Sequence, residues 1–492
     1  MHGSIATDTG RTASHGDSTP FARRAGDATP LPAGGPRTAV GARLSAIPSW
    51  RIGLGLVALA AVVYIVSDSL HSDLYNHFVW QADAWLHGRL AIAWPVSTGT
   101  YQNWYFQDVM PDPGHPGLGI LPFPPLPALV LLPFVAVLGL ATPSSLIAAL
   151  LGAVDVGLAW RLCRRVAADR GVALAATLFF AFGTVAWYAA AIGSTWFLAH
   201  MVALGLSLLA VTVAIDGGAA AHGRTDRPGR TDRPGRPAPG SAPSAGRLLR
   251  SARTLFNGRA LTAGVLLGLA ALSRLTVAFG APFPVLVGSG TWRSRLVSTG
   301  VGIAIPLAAL VAYNLASTGQ VFNPAYNAIA RTEYHPMPAL YHASWGVEDL
   351  RYIPQNLVLA LFHPPSVRPE CGLALLDPAC GTLQPDPVGM GLLLTSPAYL
   401  LALPALRRIR GDRLVGGAAL AVLLVALADL AHFSQGWVQF GWRFSNDFAP
   451  FALVLVTLTM ARRGLDRWVL LLVGLSVLVN LWGVYWGLVL GW

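Results

Sequence analysis

Arg51-Ile-Gly-Leu-Gly-Leu-Val-Ala-Leu-Ala-Ala-Val-Val-Tyr-Ile-Val-Ser-Asp-Ser69 holds no charge between Arg51 and Asp68. Backbone amides in hydrocarbon find no water to bond, so an apolar run of this length crosses a bilayer as an α-helix. No small-residue cleavage site follows it, and no secretory apolar segment precedes it, so the run is expected to stay as an anchor.

Similar runs recur along most of the chain. Candidate spans fall at 51–69, 120–141, 143–160, 171–189, 192–214, 260–273, 276–290, 296–315, 389–406, 414–432, 448–461 and 467–490. Across the 492 residues 54% are hydrophobic and 12% charged, about half the charge of an ordinary soluble domain. The expected fold is therefore an all-α polytopic membrane protein with about 11–13 transmembrane helices.

A formal net charge of +11 could point to nucleic acid, but the basic residues gather in short segments between spans. They report topology instead, and nucleic acid is not an expected partner. The positive-inside rule places Arg23, Arg24, Arg37, Arg43 and Arg51 in the cytoplasm, with the stretches 161–170, 222–259, 293–295, 407–413 and 462–467. Counting 120–141 and 143–160 as two crossings would put Arg161, Arg164 and Arg165 outside. The charges are the stronger guide, and the Pro-rich start Leu121-Pro-Phe-Pro-Pro-Leu-Pro127 suits a surface or re-entrant entry. Residues 120–160 are thus expected to cross an odd number of times, which leaves Glu333, Glu348 and Glu370 outside.

Two segments look unable to pack a core: 1–46, expected to be a disordered cytoplasmic N-terminus, and 216–258, a basic cytoplasmic linker. The second carries Arg-Thr-Asp-Arg-Pro-Gly twice, at 224–229 and 230–235. They leave an N-terminal transmembrane part, 47–215, with a first outer loop at 70–119, and a C-terminal part, 259–490, with a large outer loop at 316–388. Cys371 and Cys380 lie in that large loop, where an oxidising compartment would let them pair; Cys163 sits among cytoplasmic arginines and is expected to be a free thiol.

The first outer loop is the richest in polar chemistry. It runs from His71-Ser-Asp-Leu-Tyr-Asn-His-Phe78 through Trp80-Gln-Ala-Asp-Ala-Trp-Leu-His-Gly-Arg-Leu90. Helical spacing puts Asp73, Asn76, His77 and Gln81 on one face and Leu74, Phe78, Ala82 and Trp85 on another. An extracytoplasmic interfacial helix is expected here, anchored by Trp80 and Trp85, with its polar face over an outward cavity. An ordinary alternative for Asp73 is a helix N-cap, and for Asp108 a plain loop acid.

The order of these pieces resembles the GT-C glycosyltransferase superfamily: a first span, an acid before an interfacial helix ending in Leu-His-Gly-Arg-Leu, then Phe123-Pro-Pro-Leu-Pro127. Leu272-Ser-Arg-Leu-Thr276 is similar to its Arg-x-Thr element, and Tyr313-Asn-Leu-Ala-Ser-Thr-Gly-Gln-Val-Phe322 to its Tyr-Asn element. Gly391-Leu-Leu-Leu-Thr-Ser-Pro397 and Gly441-Trp-Arg-Phe-Ser-Asn-Asp-Phe-Ala-Pro450 resemble its late Ser-Pro and Gly-x-Arg elements. The match spans about residues 51–461, nearest to the bacterial branch similar to protein O-mannosyltransferases and lipid A aminoarabinose transferases. Two departures stand out. Asp73 is followed by Leu-Tyr-Asn, so the acid-x-acid pair of metal-using members is absent, and the loop at 91–120 is long and Pro-rich.

The resemblance implies transfer of one sugar from a polyprenyl phosphate donor to a lipid, glycan or protein hydroxyl on the outer face. The donor phosphate leaves readily, so the enzyme chiefly needs a base and positive charge. Asp73 is the expected base, with Asp108 next. Arg274 or Arg443 would hold the phosphate. His77, His200, Tyr313 and Asn314 are further candidate substrate contacts. No cofactor is expected; a divalent ion lacks the acid-x-acid motif, and His71, His77, His87 and His115 match no zinc spacing. Asp155 and Asp429 fall in or beside apolar spans, where interhelical hydrogen bonding is the simpler reading. A transporter or flippase of lipid-linked sugars would instead favour mid-membrane charges, inverted repeats and short outer loops, and a scaffold would not need ordered polar elements at one face.

Overall fold

The computed structural model describes residues 38–68, 75–93, 96–98, 101–103, 108–112, 114–225, 256–331, 341–372 and 376–491. Its helices run between two ends of different chemistry: an arginine end and a loop end.

Helix α1 (Ala39–Leu44) leads into α2 (Ser49–Ser67) at the arginine end. Residues 39–44 were expected to be disordered, yet they form a capped turn. Thr38 Oγ1 donates to Asp169 at 2.8 Å, and Arg170 binds the Leu44 and Ile47 carbonyls, so distant groups satisfy this short helix's ends.

From α2 the chain passes to α3 (His77–Leu86), then α4 (Leu126–Leu138) and α5 (Ser144–Val166). The pairing of α2 with α5 settles the direction of this region. Trp160 Nε1 donates to the Ser49 carbonyl at 3.0 Å, while Gly152 packs on Tyr64. The two helices are antiparallel, so Arg164 and Arg165 share an end with Arg51. The Leu126 N–H donates to the Leu272 carbonyl and Ser144 Oγ to Asn76, so α4 begins and ends at the loop end and 120–160 crosses once, through α5.

Helices α6 (Arg170–Phe182) and α7 (Ala186–Ile192) form one passage bent by 47°. Helix α8 (Thr195–Thr225) returns, and Asp216 near its far end pairs with Arg165 at 2.9 Å. Helix α9 (Gly258–Ala271) rises to Arg274; a 3-10 turn, Leu275–Gly280, and α10 (Pro282–Leu286) descend from it. The long α11 (Trp292–Thr318) crosses α9 so closely that a methyl on Gly302 would lie 2.5 Å from the Leu261 carbonyl oxygen, and one on Gly264 would collide with the Thr299 backbone. Without a hydrophobic drive between helices in lipid, such small-residue contacts supply the van der Waals attraction.

In the large loop α12 (Ala325–Ile329) and α13 (Ile353–Phe362) precede α14 (Leu392–Thr395), which continues as a 12-residue 3-10 helix, Pro397–Arg408. Helices α15 (Arg413–Leu430), α16 (Ser445–Arg463) and α17 (Arg467–Leu490) complete the chain. Ser445 to Met460 is buried at every position, so α16 is the axis of the bundle.

Six helices are long and apolar enough to cross a membrane, and the bent pair makes a seventh. Four further traverses join the same two ends: α9, Leu275–Leu286, Leu392–Arg408 and α16. Seven and four give eleven among the described residues. Short β-elements cap the loop end, where β1 (Ile92–Ala93), β4 (Met110–Pro111) and β5 (Leu118–Ile120) form one antiparallel sheet and β2 (Val96–Thr98) pairs with β3 (Tyr101–Asn103).

The first-loop helix departs from expectation. His77, Phe78, Val79, Trp80, Gln81, Ala82 and Ala84 of α3 are all buried. Trp80 packs with Ile92, Val109 and Leu121 under the small sheet, so it is a core residue rather than a membrane anchor. The loop that follows α3 folds back over the face expected to be open, a non-local effect that helical periodicity does not contain.

Candidate functional site

The polar centre of the loop end is built on the first turn of α16, where an acid is favoured by the helix dipole. There Asp447 accepts Arg274 Nε at 3.0 Å and Nη2 at 2.9 Å, Thr276 Oγ1 at 2.9 Å and His200 Nδ1 at 2.8 Å. Because a carboxylate only accepts, His200 carries its proton on Nδ1. Its Nε2 is buried without a hydrogen-bond partner among the described residues.

A second carboxylate, Asp429 at the end of α15, lies 3.9 Å from Arg274 Nη2. Both its oxygens are buried and lack a hydrogen bond among the described residues. One guanidinium therefore lies between two buried acids, one fully engaged and one not.

The Phe444 ring joins the cationic side chains. The guanidinium of Arg274 lies 4.7 Å from its centroid and that of Arg443 5.5 Å; the rings of His200 and His432 lie at 6.0 and 6.5 Å. Arg443 also lies over Trp196, at 5.9 Å. Such stacking suits a planar guanidinium that must stay charged in a dry place.

Trp196 connects this centre to the first loop. Its Nε1 donates to Asp108 Oδ2 at 2.7 Å, and its ring packs on Tyr75 and His77. Asp108 sits just before β4 with φ of 64°, the left-handed region that aspartate tolerates better than most residues. Burial raises its pKa above the ordinary carboxylate range, against the Trp196 hydrogen bond and the charges of Arg443 and His432, which lower it.

On the other side, His432 Nδ1 lies 2.7 Å from Glu348 Oε1, and its Nε2 lies 3.1 Å from the Tyr326 hydroxyl. Asn356 Nδ2 bonds the His432 carbonyl at 2.7 Å, which fixes the backbone below the ring.

Of the residues singled out in the sequence, Arg274, Arg443, His200 and Asp108 meet in this region. Asp73 lies outside the described residues, as do His71 and Glu333. His77 is enclosed: its Nδ1 lies 2.9 Å from Thr195 Oγ1, and Trp80, Phe123 and Trp196 surround the ring. Tyr313 packs edge-on against Trp85, and Asn314 Nδ2 bonds the Val321 carbonyl at 2.9 Å, holding the turn after α11. Cys371 and Cys380 form a disulfide with Cα atoms 5.2 Å apart, and Cys163 is a buried free thiol.

Asp447 was not among the expected site residues; it is the hub for Arg274, and Thr276 joins it. Both lie inside the quoted Leu272–Thr276 and Gly441–Pro450 stretches, so the signal was present. Tyr326, His432 and Glu348 carried no such signal, being brought together by the large loop.

Neither a family model nor a curated protein matches the chain. Among solved structures, the crystal structure of ArnT from Cupriavidus metallidurans bound to undecaprenyl phosphate is similar, with a TM-score of 0.41 and 15% sequence identity. The similarity covers 83% of this chain and 60% of that one, so this chain spans about three fifths of that chain's length.

Proposed function

We propose that this chain is an integral membrane glycosyltransferase that moves one sugar from a polyprenyl phosphate donor to an acceptor hydroxyl at the loop end, inverting the anomeric carbon. The observation that carries this reading is convergence. The Arg-x-Thr element (Arg274, Thr276) and the Gly-x-Arg element (Gly441, Arg443, Asp447), far apart in sequence, meet around Phe444, and Trp196 joins them to Asp108 of the first loop.

In this reading the loop end faces outward, as the loop charges favour. The donor's chain stays in lipid while its phosphate meets the guanidinium groups. Arg274 has Nε and Nη2 committed to Asp447, which leaves the Nη1 edge for a phosphate oxygen; Arg443 approaches the same ring beside it. Fixed charges in a dry site stabilise a departing phosphate without reorganising at the moment of reaction.

Asp73 takes the acceptor proton as the new C–O bond forms and the bond to phosphate breaks; Asp108 is the second choice. A direct displacement with base and leaving group on opposite faces inverts the centre, by the same geometry as inverting glycosidases. The acceptor is a lipid, glycan or protein hydroxyl.

The test is transfer of radiolabel from a panel of polyprenyl phosphate sugars in membranes with and without the protein. Label should appear in an acceptor fraction only with the protein and one donor class. No transfer from any polyprenyl phosphate sugar, by well-folded protein, would reject the reading.

A further inference from the structure

Helix α13 is built inside out for a helix over water. Its buried face carries Asn356 and Ala360, while Leu357 is 42% exposed and Val358 and Phe362 are each 59% exposed. Leu350, one turn earlier, is 74% exposed. From Ile353 to Phe362 the sequence holds no charged residue.

The polar side chain on the inner face is spent on the end of α15. Asn356 Nδ2 donates to the Leu430 carbonyl at 2.9 Å and to that of His432 at 2.7 Å, satisfying carbonyls a helix terminus leaves open. These bonds seat α13 against the end of a membrane-spanning helix. The outward residues of that helix, Leu420, Leu423 and Leu427, are themselves exposed and apolar. The apolar face of α13 therefore lies beside a helix whose own exposed residues are apolar.

The flanks fit the edge of a bilayer. At the N-terminal end Arg351 lies 4.8 Å over the Trp345 ring and Tyr352 packs against the same tryptophan, an aromatic and cationic grouping favoured at headgroup depth. Pro354 at the start of the helix suits a first turn whose amide would have no partner.

We propose that the outward face of α13 is a lipid-contact surface, with Leu350, Leu357, Val358 and Phe362 lying among the acyl chains of the leaflet at the loop end. The helix is too short to span, so it lies in one leaflet, and the large loop is held down by it rather than standing clear in water. The inference stands apart from the glycosyltransferase reading and needs no substrate.

Nitroxide accessibility in the full chain tests it. Val358→Cys and Phe362→Cys, with Ala343→Cys as the exposed control, are spin-labelled in phosphatidylcholine and phosphatidylglycerol vesicles; relaxation by oxygen is compared with relaxation by a water-soluble nickel chelate. Oxygen should dominate at 358 and 362 and the chelate at 343. Chelate dominance at 358 and 362 would place the face in water and overturn the proposal. Protection from both reagents with dipolar broadening would also overturn it, by showing a second copy on that face. Leu357→Cys repeats the measurement if either variant folds poorly.

Discussion

Arg274 grips Asp447 through two nitrogens on one carboxylate oxygen, Nε at 3.0 Å and Nη2 at 2.9 Å, and this pair joins the end of α9 to the start of α16. Removing one partner strands a buried charge. Asp447→Ala is expected to cost about 3–5 kcal/mol of stability, whereas Arg274→Met with Asp447→Leu should cost less, Asp429 being the one buried acid left to take up a proton. Thermal unfolding in detergent measures both. If the pair also positions the phosphate clamp, the double variant stays folded yet loses transfer; a folded double variant that transfers normally makes the pair purely structural.

Asp73→Asn keeps size and hydrogen bonding but removes a proton acceptor. Transfer should fall roughly 100-fold or more if Asp73 is the base, with donor binding intact. Asn caps helices about as well as Asp, so a capping role predicts nearly unchanged transfer. Full activity in Asp73→Asn together with loss in Asp108→Asn moves the role to Asp108.

The pH dependence separates these two acids. Burial lifts the pKa of Asp108, so its ionised form fills in only as pH rises through a value above the usual range. If Asp108 is the base, transfer climbs with pH along that limb. The positive charge of Arg443 lowers this pKa, so Arg443→Gln should move the limb to higher pH. A limb that stays in place excludes Asp108 as the titrating group. In stability the sign is opposite: the folded chain holds this proton more tightly than the unfolded one, so the contribution is full at low pH and is lost as pH rises through the folded value.

Topology can be read by labelling single introduced cysteines. Positions 110 and 343 should react with an impermeant reagent added outside, and positions 230 and 410 should not. External labelling at 230 reverses the orientation and with it the outward site.

The contact between α9 and α11 depends on hydrogen atoms where other residues carry carbon. Gly302→Val pushes a methyl group against the Leu261 carbonyl, and is expected to cost about 1–3 kcal/mol by overpacking. Gly300, with open space around its Cβ direction, is the control. Equal melting of the Gly302→Val and Gly300→Val proteins would show that α9 and α11 can separate without cost.

Apolar run length made the spans legible, and the arginines at 161–165 correctly outweighed a count of hydrophobic segments. The centre was half legible. Arg274 and Arg443 stood out as cations beside apolar runs, but their partners could not be read, because a pair such as Arg274 and Asp447 depends on how α9 and α16 pack rather than on spacing within either. The same limit explains α3 and α13. Helical spacing of polar and apolar residues marked the start of the first loop as an interfacial helix, yet the segment of the small sheet packs over its Trp80 and Ala84. The helix with an exposed apolar face, α13, is nearly uniform in sequence and gives periodicity little to detect.

The 3-10 stretch Pro397–Arg408 has a mechanical meaning. Twelve residues at ~2.0 Å each reach about 24 Å, where an α-helix of the same residues reaches about 18 Å. This part of the chain is a strut whose length is set by winding and not by residue number. Rewinding it toward α would draw its two ends together by about 6 Å, a travel longer than any hydrogen bond or ion pair in the polar centre.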